Sequence, residues 1–235
     1  MYDYALIIPC FNEADRLPAT HAQLGAFFAT EAWRSVRVAI MYVNDGSTDA
    51  TDTVLTHLSG TSEHAPFAVF TRSYPINRGK GAAIREGSQQ VDASTYAFID
   101  ADLAFPLETL TTMYAMRNTA DIVVGQRVRL TSQRRIRWVV SKSLQWITAG
   151  LLHLPVRDTQ CGIKQFSKKV QADIIPKTTE DGFAFDVDLL VQSVRAGLKI
   201  QAIPVTFRYH SSSSVRIADG IRFMRSLLRI AHHNR

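Results

Sequence analysis

Two aspartates stand two residues apart, directly after an apolar run: Asp100 and Asp102 follow Phe98 and Ile99. Two carboxylates at this spacing repel each other unless a cation joins them. Their hard oxygen atoms suit Mg²⁺ or Mn²⁺, and such a site commonly shares its coordination shell with substrate phosphates. A loop with two solvated acids gives the same pattern, so the pair indicates a metal site only together with other motifs.

Two further acidic motifs follow predicted strands, namely Ile8-Pro-Cys-Phe-Asn-Glu13 and Val43-Asn-Asp-Gly-Ser-Thr-Asp49. Asp45 ends its strand, and Ser47 or Thr48 is placed to cap the helix that follows. Read alone, the second motif is more typical of a turn with an N-cap than of a binding site. Because open α/β sheets bind ligands at the carboxyl ends of their strands, we expect the three acidic motifs to meet at one edge.

A glycine-bearing turn, Asn77-Arg-Gly-Lys-Gly-Ala-Ala83, opens a predicted helix between the second and third acidic motifs. The N–H groups of such a helix start, with Arg78 and Lys80 beside them, could receive a diphosphate. The alternative is a tight turn with exposed bases. The turn lacks Walker spacing and a G-x-G-x-x-G pattern, so neither an ATPase nor a dinucleotide-binding protein is favoured.

A sheet whose strands alternate with helices along the chain would position these motifs. Short β-branched or aromatic runs alternate with helical periodicity, which is typical of βαβ units and predicts an α/β fold with a mostly parallel sheet. No Pro/Gly/Ser-rich linker interrupts the chain, so residues 1–235 are predicted to form one domain. The predicted strands are Tyr4–Ile8, Val36–Val43, Phe67–Thr71, Thr95–Ile99, Ile122–Gly125, a strand or hairpin near Gly162–Phe166, and Ile200–Val205. The predicted helices are Leu17–Glu31, Thr48–Leu58, Gly81–Val91, Leu107–Met116, Ile136–Leu152, Asp186–Ala196 and Asp219–His233.

The net charge of +6, from 27 Lys and Arg against 21 Asp and Glu in 235 residues, is unevenly distributed. Ile122 to Arg157 holds seven bases and no acid, and Arg208 to Arg235 holds six bases and one acid. The rest of the chain is acidic. Nucleic-acid binding through the basic segments is one hypothesis, but the acid-bearing motifs and the lack of an aromatic-basic stacking pattern argue against it.

Other features exclude several classes of protein. Two cysteines, Cys10 and Cys161, cannot form a disulfide framework, and such a pair is typically reduced, as in a cytosolic protein. The first residues show no signal-peptide pattern. The apolar stretch Trp138–Leu154 is too short and too polar to cross a bilayer, which needs about 20 apolar residues. We therefore expect a cytoplasmic protein.

Taken in order, the four motifs resemble those of the family 2 glycosyltransferases, which have the GT-A fold. The later runs Asp158-Thr-Gln-Cys-Gly-Ile-Lys-Gln-Phe166 and Phe185-Asp-Val-Asp-Leu-Leu190 resemble the dolichyl/polyprenyl-phosphate sugar transferase branch. The Arg-Gly-Lys-Gly turn and the overall layout are most similar to dolichyl-phosphate β-glucosyltransferases. The resemblance extends from Ile7 to about Arg229.

The resemblance implies a nucleotide-sugar half, about 1–125, and an acceptor half, about 126–235. In the first half it implies that Asp100 and Asp102 hold Mg²⁺ or Mn²⁺ and the diphosphate, with Asp102 a catalytic residue. The residues implied to bind the nucleotide sugar are Pro9, Asn12 and Glu13 at the nucleotide, Asp45 at the base or ribose, Lys80 and Asp100. In the related mannosyl enzymes a Gln often follows at the position of Ala104, and an alanine cannot ligate a metal.

In the second half the resemblance implies that Arg127, Arg137, Ser141 and Arg208 hold an acceptor phosphate. A lipid phosphate needs no general base, because its second ionisation lies near pH 6. A hydroxyl of a glycan or protein, the alternative acceptor, would need one. Asp186 is the candidate base, although it could equally cap and orient its helix. The expected reaction is inverting transfer of glucose from UDP-glucose to a polyprenyl phosphate.

The last predicted helix has a basic stripe, Arg222, Arg225 and Arg229. Its other side carries Phe223, Met224, Leu227, Leu228 and Ala231. A basic amphipathic helix of this kind can lie on an anionic bilayer, which would place the protein peripherally on the cytoplasmic face of a membrane. The alternative is that the apolar side packs on the domain while the arginines face water.

Overall fold

A computed structural model describes residues 1–60, 65–128, 152, 154–206, 223 and 225–230. Within these residues, strands and helices alternate through the first half of the chain, as predicted. The strands are β1 (Tyr2–Cys10), β2 (Val38–Asp45), β3 (Phe67–Tyr74), β4 (Ala93–Ile99), β5 (Ile122–Arg127), β6 (Ile163–Ser167) and β7 (Ile200–Val205). The helices are α1 (Leu17–Phe28), α2 (Thr51–Gly60), α3 (Lys80–Gln90), α4 (Glu108–Ala115), α5 (Lys168–Asp173) and α6 (Phe185–Arg195). Residues 225–230 form a last helical segment.

The described strands form one seven-stranded sheet in the order β3-β2-β1-β4-β6-β5-β7. Strands β1 to β4 pair in parallel with one another, and β5 pairs in parallel with β7. Strand β6 lies between β4 and β5 and runs antiparallel to both. The prediction of a mostly parallel sheet flanked by helices is therefore confirmed.

Two apolar cores lie on opposite faces of this sheet. Because successive side chains of a strand point to opposite faces, Ile7 joins the core under α3, α5 and α6, whereas the neighbouring Leu6 joins the core under α1, α2 and α4. Strand β2 is buried along its whole length. The central strands are thus held from both sides, which fixes where their carboxyl ends lie.

The second helix begins later than predicted. The carboxylate of Asp49 accepts the N–H of Thr51 at 3.0 Å and is the residue that caps the first turn. Ser47 accepts a hydrogen bond from the loop after β1 instead. The expectation that Ser47 or Thr48 caps α2 was therefore wrong, because these two residues join neighbouring loops.

The last helical segment packs on the domain with its apolar side. Phe223, Leu227 and Ile230 are buried in the core that also contains α6. Leu228, which the sequence placed on the apolar side, is 63% exposed. Within the described residues, no helix is long and apolar enough to cross a membrane. The predicted helix Ile136–Leu152 lies outside the described residues except for its last position.

Candidate active site

The carboxyl ends of β1, β2 and β4 lie side by side at one edge of the sheet. Pro9 pairs in register with Val43, and Ile7 with Phe98. The three acidic motifs follow these strands directly, so the prediction that they meet at one edge is confirmed. The turn that precedes α3 lies at the same edge.

The loops after β1 and β2 are tied together by side chains of the first two motifs. Asn12 Oδ1 accepts the N–H of Thr48 at 2.8 Å, and Ser47 Oγ accepts the N–H of Asn12 at 2.9 Å. Asn12 has a φ of 55°, a left-handed conformation that asparagine tolerates better than most residues. Asn12 therefore joins two loops, and its contact with a nucleotide stays a prediction.

Asp45 ties the turn before α3 to the end of β2. Its side chain is buried, with the residue 3% exposed, and its two oxygens accept the N–H groups of Arg78 at 2.7 Å and Gly79 at 2.8 Å. Gly79 has a φ of 106°, which strongly favours glycine. Asp45 thus positions the residues that lead to Lys80, and its predicted role at the base or ribose stays a prediction.

The start of α3 is already supplied with hydrogen-bond acceptors. The N–H groups of Gly81 and Ala82 donate to the Asp181 carbonyl at 2.7 and 3.2 Å. With Arg78 and Gly79 bound to Asp45, these helix-start groups are occupied by the protein itself. Of the two alternatives for this turn, these four N–H groups fit the tight turn, and a contact between Lys80 and a diphosphate stays a prediction.

The side chain of Lys80 instead reaches the pair of aspartates after β4. Its ammonium donates to Asp100 Oδ1 at 2.5 Å. Asp102 Oδ1 accepts the N–H of Ala104 at 3.1 Å, and within the described residues Asp102 forms no ion pair. The other oxygen of Asp100 faces Gly162, where an added Cβ would lie 2.1 Å from it. Glycine at this position leaves room for the Asp100 carboxylate.

The pKa of Glu13 is affected by the negative charges of Asp100 and Asp102. Burial raises the pKa of Glu13, the ion pair with Arg16 opposes this, and the negative charges of Asp102 and Asp100 raise it further. The acids of the first and third motifs therefore lie within electrostatic range of one another. Their repulsion would be relieved by a cation or by protonation of Glu13.

The donor set fits one kind of metal site. The described residues contain no group of three or more His, Cys, Asp or Glu side chains able to enclose a metal ion. Asp100 and Asp102 offer carboxylate oxygens, while Ala104 offers no side-chain oxygen. Mg²⁺ is commonly bound by one or two carboxylates plus substrate phosphates. The residues present thus fit a metal that is shared with a bound diphosphate.

Arg127 lies at the end of β5, toward the predicted acceptor half. Asp158 accepts its Nε at 2.7 Å, its Nη2 at 2.8 Å and its backbone N–H at 3.0 Å. Burial raises the pKa of Asp158, but the bonds and charge of Arg127 outweigh this and lower it. Asp158 therefore holds Arg127 in one orientation. Three other predicted phosphate-binding residues, Arg137, Ser141 and Arg208, lie outside the described residues.

Asp186, the candidate base, lies in the first turn of α6 and is 3% exposed. Its carboxylate forms an ion pair with Lys164, whose side chain is completely buried and also donates to the Cys161 carbonyl at 2.7 Å. A general base must reach the proton that it removes, whereas the Asp186 carboxylate is engaged by the Lys164 ammonium inside the protein. The geometry supports the alternative in which Asp186 orients its helix.

Comparison with known proteins identifies the family. The family model described as glycosyl transferase family 2 matches residues 5–171. The chain belongs to glycosyl transferase family 2. The predictions of this family, of the GT-A fold and of a hexosyltransferase that uses a nucleotide sugar are confirmed.

Two curated relatives of this glycosyltransferase are dolichyl-phosphate beta-glucosyltransferases. The protein from Trichomonas vaginalis is 29% identical over 98% of this chain and 73% of its own length. The protein from Saccharomyces cerevisiae is 26% identical over 95% of this chain and 72% of its own length. The fold is similar to that of glucosyl-3-phosphoglycerate synthase from Mycobacterium tuberculosis, crystallised with Mn²⁺, UDP-glucose and phosphoglyceric acid. That similarity has a TM-score of 0.69 at 16% identity and covers 98% of this chain and 80% of the other.

Sequence reasoning missed several residues that build the site of this glycosyltransferase. They are Lys164 beside Asp186, Asp158 beside Arg127, Gly162 beside Asp100, and Asp181, whose carbonyl holds the start of α3. One signal was present, because Lys164 and Gln165 interrupt an otherwise apolar strand. A lysine in such a position needs a buried partner. The partners themselves come from elements distant in the chain.

Proposed function

We propose that this glycosyltransferase transfers glucose from UDP-glucose to a polyprenyl phosphate, with inversion at the anomeric carbon. The observation that carries the proposal is the incompletely neutralised acid pair after β4, next to acceptor-side acids that are already engaged. A metal-bound diphosphate complements the negative charge of the acid pair. An anionic acceptor needs no general base, so the engagement of the acceptor-side acids does not prevent the reaction.

The donor part of the proposal rests on Asp100 and Asp102, which would hold Mg²⁺ or Mn²⁺. Such an ion, when bound, stabilises the charge that develops on the leaving diphosphate. Lys80 adds a second positive charge beside Asp100, and glucosyl-3-phosphoglycerate synthase, whose fold is similar, was crystallised with Mn²⁺ and UDP-glucose.

The acceptor part of the proposal rests on acids that are not available as bases. Asp186 is paired with Lys164, and Asp158 with Arg127. Asp188 accepts the N–H groups of Thr179 and Glu180 at 2.6 and 3.2 Å. A phosphate dianion carries no proton to remove, so its oxygen can form the new bond to C1 of glucose as the bond from C1 to UDP breaks.

The names of the relatives support the same acceptor, since both are glucosyltransferases acting on dolichyl phosphate. The substrates would meet at a membrane surface. Arg225 and Leu228 are exposed on the last helical segment, and Arg229, also exposed, lies 3.5 Å from Glu180. We propose that this exposed side contacts anionic lipid on the cytoplasmic face, where each arginine near the surface contributes about 1 kcal/mol.

A mass-resolved screen of nucleotide sugars against one short polyprenyl phosphate, with and without Mn²⁺, tests the proposal. We expect one dominant product, glucosyl phosphoryl polyprenol, formed from UDP-glucose and dependent on the metal. Transfer only to a glycan or protein hydroxyl, tested in parallel, would favour the alternative acceptor. A lack of transfer from any nucleotide sugar would contradict the proposal.

A further inference from the structure

The Lys80 ammonium lies against the first of the two carboxylates proposed to hold a metal. The distance to Asp100 Oδ1 is 2.5 Å, and the Lys80 side chain is only 14% exposed. Its Nζ lies 5.4 Å from the centre of the Phe98 ring, which adds a favourable cation–π contact. Lys80 is therefore held in place as a cation between α3 and the end of β4.

The contact between Lys80 and Asp100 is an ion pair at hydrogen-bond distance. The Asp100 carboxylate therefore faces the positive charge of the Lys80 ammonium. A divalent cation that approaches Asp100 meets repulsion from that charge, whereas Asp102 has no ion pair in the described part of the chain.

The rest of the donor set does not offset this repulsion. Ala104 provides no ligand, and Glu13 is already paired with Arg16. In the free protein a metal would therefore have one unshared carboxylate, that of Asp102, and one carboxylate shared with Lys80. A bound diphosphate changes the balance, because it brings oxygen ligands for the metal and a second anion for the Lys80 ammonium.

We infer that Lys80 competes with the divalent metal for Asp100, so that the protein binds metal weakly alone and tightly only together with the donor diphosphate. Lys80 would pair with Asp100 in the free state and with the diphosphate in the loaded state. This inference rests on the proposed function, since it assumes that Asp100 and Asp102 hold the metal. The inference also predicts that the metal and the nucleotide sugar bind together rather than one after the other.

The opposite interpretation makes a different prediction. If Lys80 only orients Asp100 for the metal, its removal would leave the carboxylate disordered and would weaken metal binding. If Lys80 competes, its removal frees Asp100 and strengthens metal binding in the absence of nucleotide. Mn²⁺ affinity of the free protein therefore distinguishes competition from orientation without any measurement of activity.

The experiment is a Mn²⁺ titration followed by electron paramagnetic resonance, on the full chain, with and without UDP. Lys80→Met removes the charge, and Lys80→Gln is a second neutral variant in case Lys80→Met folds poorly. Lys80→Arg keeps the charge. Lys169→Met is the matched control, because Lys169 is exposed on α5 and its loss changes the net charge equally.

We expect the neutral Lys80 variants to bind Mn²⁺ about tenfold more tightly than wild type without UDP, because a close positive charge is removed. UDP should strengthen Mn²⁺ binding in wild type, Lys80→Arg and Lys169→Met, and much less in the neutral Lys80 variants. Equal or weaker Mn²⁺ binding by the neutral variants would overturn the competition while leaving the proposed function intact.

A separate outcome identifies failure of the proposed function itself. Asp102→Asn should lose Mn²⁺ binding in the presence of UDP. If wild type with UDP bound no Mn²⁺, or if Asp102→Asn bound it as wild type does, the metal site assigned to this edge would be wrong, and the inference about Lys80 would fall with it.

Discussion

Aspartates lie in two regions of the molecule, one directly after β4 and one beside β5 and β6. The two regions differ in how completely the negative charge is neutralised. Beside β5 and β6, Asp158 and Asp186 are buried, and each is matched by a cation, Arg127 or Lys164. After β4, Asp102 is half-buried and has no ion pair within the described residues, while Asp100 shares Lys80. We call the region beside β5 and β6, where the aspartates are buried and paired, the closed region. We call the region after β4, where the negative charge is incompletely neutralised, the open region.

The difference indicates that the aspartates beside β5 and β6 position structural elements, whereas those after β4 bind a ligand. A buried ion pair costs desolvation and gains specific geometry, so it fixes how elements sit against each other. Acids left unneutralised at a ligand-binding edge of a sheet favour a cationic ligand. The comparison predicts that substitutions in the closed region mainly change the free energy of unfolding, and that substitutions in the open region mainly change catalysis.

Lys164→Met should produce the largest effect on stability. It leaves Asp186 buried without its partner, which costs about 3–5 kcal/mol of unfolding free energy. Urea denaturation measures this loss, with Lys169→Met as the control for the change in net charge. A loss as small as that of the control would contradict the claim that the closed region is held by matched charges.

The double variant Lys164→Met/Asp186→Leu sharpens the same prediction. With both charges removed, no unpaired ion remains, and most of the stability lost in Lys164→Met should return. If the double variant were less stable than Lys164→Met, the two residues would not form a coupled pair.

Asp102→Asn should produce the largest effect on catalysis. Loss of this carboxylate should lower kcat/KM by about 10²–10³-fold, the range seen when a group that stabilises transition-state charge is removed. Its urea midpoint should not fall, because no ion pair of the described residues is broken. Asp15→Asn, which removes an exposed acid between β1 and α1, is the control and should keep wild-type kinetics. Near-normal turnover by Asp102→Asn would mean that the open region is not the catalytic one.

Gly162→Ala should affect catalysis less than Asp102→Asn does. The new methyl group would lie 2.1 Å from the Asp100 carboxylate oxygen and must displace it. A displaced reacting or binding group commonly costs up to about 10²-fold in rate. Gly25→Ala is the matched control, since an added Cβ there meets nothing within 4 Å. Equal activities of the two variants would show that Asp100 does not need its observed position.

The smallest effect concerns pH. Because the pKa of Asp158 is lowered in the folded protein by Arg127 against the opposing effect of burial, Asp158 stabilises the fold above about pH 4. That contribution is lost as the pH falls through the lowered pKa. Asp158→Asn should therefore flatten the acid limb of unfolding free energy against pH, whereas the exposed-acid control Asp173→Asn should not. An unchanged acid limb in Asp158→Asn would contradict the pairing.

The parallel part of the fold was predictable because its signals are local. Each strand from β1 to β4 is a short apolar run followed by a turn and a helix, and β7 was predicted with its observed bounds, Ile200–Val205. The antiparallel placement of β6 between β4 and β5 was not predictable, since the register of a strand depends on partners chosen in the folded protein.

In the candidate active site, too, the features with local sequence signals were predictable and the contacts between distant residues were not. The three acidic motifs were correctly placed at one edge, because the carboxyl ends of parallel strands meet there. The contacts that fix them were not, since Asp45 binds a turn 33 residues later and Lys164 pairs with a residue 22 positions away. The sequence left two alternatives for the N–H groups at the start of α3 for the same reason: the acceptor of Gly81 and Ala82, the Asp181 carbonyl, comes from a distant loop.

The most direct test of the comparison is glucose transfer from UDP-glucose to polyprenyl phosphate by wild type, Asp102→Asn and Asp186→Asn in one assay with Mn²⁺. Rates are expressed per folded molecule, with the folded fraction taken from circular dichroism. We predict that Asp102→Asn is at least about 10²-fold slower than wild type, and that folded Asp186→Asn stays far closer to wild type. An Asp186→Asn rate as low as that of Asp102→Asn would contradict the account and identify Asp186 as a base.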